Sequence, residues 1–283
     1  MGVAQPAATV EPLRPATLTD MLDGGYRLLR DQPGTVVGLT AMFLVPAAVV
    51  AGLASTSADA GMSFWLNPGS FADAGRSSSD AFPFGAFLGL LGSAALRSLG
   101  VLYLGVALTH VLLQRQAGGC LGAVPAAKAA LRRSGAVLGS WPLLVMGGVG
   151  SLLVCYLGLA VWLTFTAVVA PAIAAEGIGP IAAIGRSFRL VSRRFWMALG
   201  VVMLSSLVAQ VLQSILTLIP SAIATELPWG AAWATLALGS LLAGCVTVGP
   251  LVLSCVLLYL DLRVRSEGLD LRQRSTAAFS RAG

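Results

Sequence analysis

The residues equipped for chemistry are few and widely separated. Arg97 is the single charged residue inside an apolar block, where a guanidinium binds an anion, pairs with a buried polar group or snorkels to the interface. Ser206, Gln210, Gln213, Ser214 and Thr217 recur at helical spacing along another apolar stretch. Such a stripe is costly against lipid, so it should face protein or a wet cavity. Together, Arg97 and the stripe would line a path for transport or for a lipid headgroup. Separately, they reduce to interfacial snorkelling and interhelical hydrogen bonding.

Arg186, Arg189 and Arg193 line one face of a short amphipathic stretch whose other face carries Ile181, Ile184, Phe188, Val191 and Phe195. That pattern suits a helix at headgroup level, as an ordinary interfacial anchor or as a contact for anionic headgroups. His110 is the single histidine and reads as an interfacial side chain with a water or backbone partner. The four cysteines, Cys120, Cys155, Cys245 and Cys255, lack metal-ligand spacing and read as small packing residues. No phosphate loop, nucleophile elbow or zinc signature is present, so no catalytic residue, metal site or cofactor is assigned.

The elements that must position these groups follow from composition. With 57% hydrophobic and 11% charged residues and a mean hydropathy of +0.85, the 283-residue chain has too little charge to cover a soluble domain. A bilayer must cover much of its surface, giving an all-α integral membrane protein. A span needs about 20 apolar residues, which predicts transmembrane helices over roughly 35–55, 85–113, 134–155, 157–175, 195–219 and 231–260. Residues 16–268 then form one six-helix membrane domain between cytoplasmic tails at 1–15, disordered, and 269–283. Residues before Thr35 are too polar for a cleavable signal peptide, so the first apolar block reads as an uncleaved signal anchor.

Charge sets the orientation. Arg115, Lys128, Arg132 and Arg133 precede the block from Val137 to Ala175, and Arg186, Arg189, Arg193 and Arg194 follow it, so both of its ends belong in the cytoplasm. The block either crosses twice, turning near Tyr156 to Gly158, or forms a re-entrant segment; its length favours the hairpin. In the six-span arrangement every basic residue except Arg97 and Arg76 falls inside, with Arg76 beside Asp59, Asp73, Asp80 and Glu226 outside. Both termini are cytoplasmic, and the sequence pI of about 9.7 reflects topology, giving no reason to expect nucleic acid. Arginine outnumbers lysine seventeen to one, which suggests a GC-rich bacterial genome and hence a bacterial inner membrane.

A unit recurs three times: a surface helix ending in basic or polar residues, then two spans. Its junctions are Leu29 to Gly34, Leu131 to Gly135 and Val191 to Trp196, each running on to a glycine at Gly38, Gly139 or Gly200. Duplication and common membrane-helix patterning both produce this plan. The first surface helix, Thr17 to Arg30, opens with Thr17-x-x-Asp20, close to a capping box, and has Leu18, Met21, Leu22, Tyr26 and Leu29 as its apolar side.

The most specific string is LLYLDLRVRSEGLDL, from Leu257 to Leu271. Tyr259 belongs at headgroup level with its hydroxyl wet, Asp261 with Arg265 and Arg263 with Glu267 are i,i+4 pairs, and Gly268 is placed to end the helix. Glu176 caps or pairs at the exit of the fourth span, with Arg186 or a C-terminal arginine as partner. Three further strings join it: Pro171-x-x-Ala174-Ala175-Glu176-Gly177, Ala183-x-x-Arg186-Ser187-Phe188-x-Leu190, and Leu13-Arg14-Pro15 onward to Arg30. Across Leu13 to Arg274 the chain resembles the bacterial, actinobacterial-type membrane-domain family of glycerophosphoryl diester phosphodiesterase. The resemblance implies a stand-alone six-span domain without the catalytic domain fused in some relatives. That catalysis needs acidic and histidine side chains at a metal; one histidine and dispersed acidic residues do not supply it. The expected function is a non-enzymatic anchor, scaffold or accessory protein in lipid or envelope metabolism, with membrane lipids as partners. The alternative is a small transporter or lipid translocator using Arg97 and Gln210/Gln213.

Overall fold

A computed structural model describes residues 18–56, 84–154 and 156–267. The two tails, the Thr17 cap, the Gly268 stop, Cys155 and the acidic loop around Arg76 lie outside the described residues. Every described element is an α-helix: α1 (Leu18–Asp31), α2 (Pro33–Thr56), α3 (Phe84–Gln116), α4 (Ala123–Leu131), α5 (Ser134–Val154), α6 (Tyr156–Thr166), α7 (Val169–Glu176), α8 (Pro180–Ser192), α9 (Phe195–Glu226) and α10 (Trp229–Glu267). Among the described residues, five segments are long and apolar enough to cross a membrane: Pro33–Leu53, Leu91–Gln116, Leu157–Glu176, Phe195–Glu226 and Ala231–Ser266. This is the helix content of a multi-pass membrane protein. α5 adds 21 residues without a charge and packs on α6, where Trp162 Nε1 donates to the Leu144 carbonyl at 3.1 Å.

A short helix followed by two long ones forms the first and third units, while in the second the last long helix is replaced by α6 and α7; the register at each entry recurs in all three. The carbonyls of Gln32, Arg133 and Arg194 accept the N–H of Val36, Val137 and Ala198, starting α2, α5 and α9 in the same way. Those three acceptors' partners are fully buried, as are Leu39, Ser140 and Val201, three residues further along each helix. The same two positions of each unit therefore face the protein interior.

α10 is the hub, packing on α1, α2, α3, α7, α8 and α9. Its Pro250 has no N–H to give its own helix, and the Ser254 hydroxyl donates to the Pro250 carbonyl at 3.0 Å. α1 docks over this point because Gly25 has no side chain: a Cβ there would lie 2.8 Å from the Pro250 oxygen and 2.9 Å from Ser254 Oγ. The buried face of α1 is therefore Met21, Gly25 and Leu28, shifted from the expected one, with Leu22, Tyr26 and Leu29 only half-buried.

Two further expectations change. The fourth apolar stretch is broken at Ala167 and Val168, between α6 and α7, just before Pro171, which has no N–H to give the Ala167 carbonyl and whose ring crowds it. The Ser187 hydroxyl of α8 donates to the Phe165 carbonyl at the break, and Phe165 stacks on Phe188 and Phe195, so tertiary contacts hold the interruption that Pro171 favours. α8, in turn, does more than float at the surface. Ala183, Ser187, Leu190 and Val191 bury one face against the bundle, while Ile181 is 77% exposed.

Candidate functional site

Glu176 is the last residue of α7. Gly177 ends the helix in the left-handed region, φ 64°, with its N–H donating to the Ile173 carbonyl at 3.1 Å. Three residues later Pro180 starts α8 at its first turn, where a missing N–H is tolerated. The chain thus reverses tightly, and Arg186, two turns into α8, comes back over Glu176. Its Nε donates to Glu176 Oε1 at 2.9 Å. The Tyr259 hydroxyl of α10 donates to the same oxygen, also at 2.9 Å. Both charged side chains are mostly shielded, Glu176 at 18% and Arg186 at 21% exposure, so the attraction is less screened than at a surface pair. Arg133, between α4 and α5, lies over Gly177 with Nη1 3.5 Å from its carbonyl oxygen. One carboxylate therefore ties α7, α8 and α10 together, with the α4–α5 junction against it.

Tyr259 corrects the sequence reading. Its ring is fully buried and its hydroxyl bonds to Glu176, where a wet interfacial position was expected. Arg186, grouped with the headgroup contacts, is engaged by Glu176 through Nε, whereas Arg189 and Arg193 are exposed. Asp261 pairs with Arg265 at 2.8 Å as expected from their spacing. The Glu267 side chain, the expected partner of Arg263, lies outside the described part.

No protein-family model, curated protein or solved structure matches this chain.

A second tie at the same end joins Arg115, closing α3, to Asp31, the last residue of α1, at 2.7 Å. Arg115's hydrogen bond, helped by Arg27 and Arg30, holds the Asp31 carboxyl below the usual carboxylate range. All basic residues described, except Arg97, belong to this end of the bundle or to the short helices against it.

Arg97 and the α9 stripe are not brought together. Arg97 is exposed on α3, beside Ser98, whose oxygen accepts from Trp141 Nε1 of α5 at 2.9 Å. α9 packs chiefly on α10 and shares no substantial contact with α3. The stripe itself is split. Gln213 turns inward, its carboxamide oxygen accepting from the Thr247 hydroxyl at 2.8 Å, with Ser206 and Thr217 half-buried nearby on the same helix. Gln210 and Ser214 face outward. An apolar depression at the far end of α9, lined by Leu218, Ile219, Ala222, Ile223, Glu226 and Leu227, contains neither group. His110, expected to have a water or backbone partner, is half-buried with Nε2 enclosed and bonded to no backbone group among the described residues.

Sequence reasoning missed the convergence on Glu176 Oε1 and the Ser187 bond to Phe165. The ten-residue separation of Glu176 and Arg186 across a glycine and proline turn was a readable signal. Nothing local marks Tyr259, 83 residues away, as the third member.

Proposed function

We propose that this chain is a six-span, non-enzymatic membrane domain of the glycerophosphoryl diester phosphodiesterase membrane-domain type. It acts as an anchor, scaffold or accessory protein for lipid or envelope metabolism in a bacterial inner membrane. The observation that carries this reading is the Glu176 junction. Three of the strings behind the resemblance each supply one member: Glu176 from the string at Pro171, Arg186 from that at Ala183 and Tyr259 from that at Leu257. Their polar groups satisfy one another, so the shared strings build a fixed arrangement of helices.

The sixth span is α5, about 32 Å long at 1.5 Å per residue and matched to a hydrocarbon core of about 30 Å. The concentration of arginines at one end supports a cytoplasmic location for that end and for both termini. Arg189 on α8 and Arg193 just after it, both exposed, then lie where anionic headgroups are available. A reconstitution experiment tests the reading. In liposomes containing a headgroup-labelled phospholipid, added protein leaves the rate of lipid flipping at the protein-free level. Acceleration proportional to the amount of protein would replace the scaffold with a translocator.

A further inference from the structure

α9 is the least buried of the five apolar segments, and at its midpoint it carries an unsatisfied polar group on the outside. Gln210 is the sixteenth of 32 residues, about 22 Å from either end at 1.5 Å per residue. From that depth a glutamine side chain is too short to snorkel to either interface. Its carboxamide is exposed and makes no hydrogen bond among the described residues, and hydrocarbon offers none. Gln213, on the adjoining face, is held by Thr247 of α10, so α9 is not free to roll and bury Gln210 within its own bundle.

We propose that this face of α9 pairs with α9 of a second copy, with Gln210 hydrogen-bonded to Gln210 across a two-fold axis along the membrane normal. A carboxamide has both donor and acceptor, so two of them related by a two-fold form a reciprocal pair of bonds. Copies inserted with the same orientation bring this residue to the same depth. The surrounding residues have the spacing of a helix seam: Leu207, Gln210, Ser214, Thr217 and Ser221 follow steps of three and four. Leu207 is 61% exposed, and Ser214 and Ser221 are exposed as well. The hydroxyls of Ser214, Thr217 and Ser221 donate to the Gln210, Gln213 and Leu218 carbonyls of their own helix at 2.9, 2.8 and 2.8 Å. They leave a low, satisfied surface that lets a second helix approach closely, with the Gln210 carboxamide as the open polar group.

The test is oxidative cross-linking of the full chain in liposomes, in a Cys120→Ser, Cys155→Ser background. Ser214→Cys is expected to form a disulfide-linked dimer, and Leu242→Cys, on the exposed side of α10, is expected to stay monomeric. Adding Gln210→Leu should weaken dimer association about tenfold, which corresponds to roughly 1.4 kcal/mol, while Gln210→Asn retains it. Equal cross-linking at Ser214→Cys and Leu242→Cys would overturn the proposal, as would cross-linking unaffected by Gln210→Leu.

Discussion

Removing the Tyr259 hydroxyl while keeping its ring isolates one bond of the Glu176 junction. Tyr259→Phe preserves the volume of a fully buried side chain, so cavity terms stay small. What is lost is a 2.9 Å hydrogen bond to a carboxylate. Bonds to charged groups are worth about 1.5–3 kcal/mol. Because Glu176 remains 18% exposed and keeps Arg186, the lower part of that range, about 1.5–2 kcal/mol, is expected. Glu176→Ala removes the acceptor, leaving the buried phenol unsatisfied and Arg186 without its counter-charge, and should cost about 3 kcal/mol. In that background Tyr259→Phe removes a hydroxyl that no longer has a partner, so it becomes neutral or stabilising. Equilibrium unfolding in mixed micelles, followed by circular dichroism, reads all four corners of the cycle. If Tyr259→Phe lowers stability equally with and without Glu176, the junction contributes no coupling and the reasoning fails.

Three other perturbations follow from the geometry. Gly25→Ala drives a methyl against the Pro250 carbonyl and should destabilise by about 1–3 kcal/mol, whereas Gly34→Ala, with nothing within 4 Å, should gain up to about 1 kcal/mol of helix propensity; thermal unfolding of the two variants must move in opposite directions. The Asp31 carboxyl is held below its usual value of 3.8, so its contribution is full above that pH and is lost as pH falls through the lowered value. The stability difference between the natural chain and Asp31→Asn should therefore close on acidification, and a gap that persists once the carboxyl is protonated contradicts the pairing with Arg115. Arg97→Leu replaces an exposed intramembrane charge with an apolar group and should be neutral or stabilising in unfolding from micelles; a loss above about 1 kcal/mol would reveal an internal partner.

Class and element order were legible because apolar blocks and arginine clusters alternate so sharply, and the helices α2, α3, α5, α6 with α7, α9 and α10 cover every stretch expected to span. Glu176 with Arg186 was legible because a tight turn separates two spaced charges. Tyr259 was misplaced because an aromatic near a helix exit has the pattern of an interfacial belt, and only the fold reveals the carboxylate beside it. The break at Ala167 and Val168 has Pro171 as its local signal, but Pro46, Pro142 and Pro220 lie inside continuous helices, so a proline alone did not mark it. On α1 the large side chains drew attention, yet Gly25 decides which face docks. The α9 stripe was visible as one polar band; that α10 takes Gln213 and leaves Gln210 outside depends on which side of the helix the neighbour occupies.

The central claim, a six-span bundle knit together at its cytoplasmic end, is tested most directly by thiol labelling in intact cells with a membrane-impermeant maleimide. In a background lacking Cys120 and Cys155, Leu157→Cys, 73% exposed at the start of α6, should be labelled from outside. Arg189→Cys, exposed on α8, should be labelled only after the membrane is permeabilised. Labelling of Arg189→Cys in intact cells, or protection of Leu157→Cys, would contradict the account.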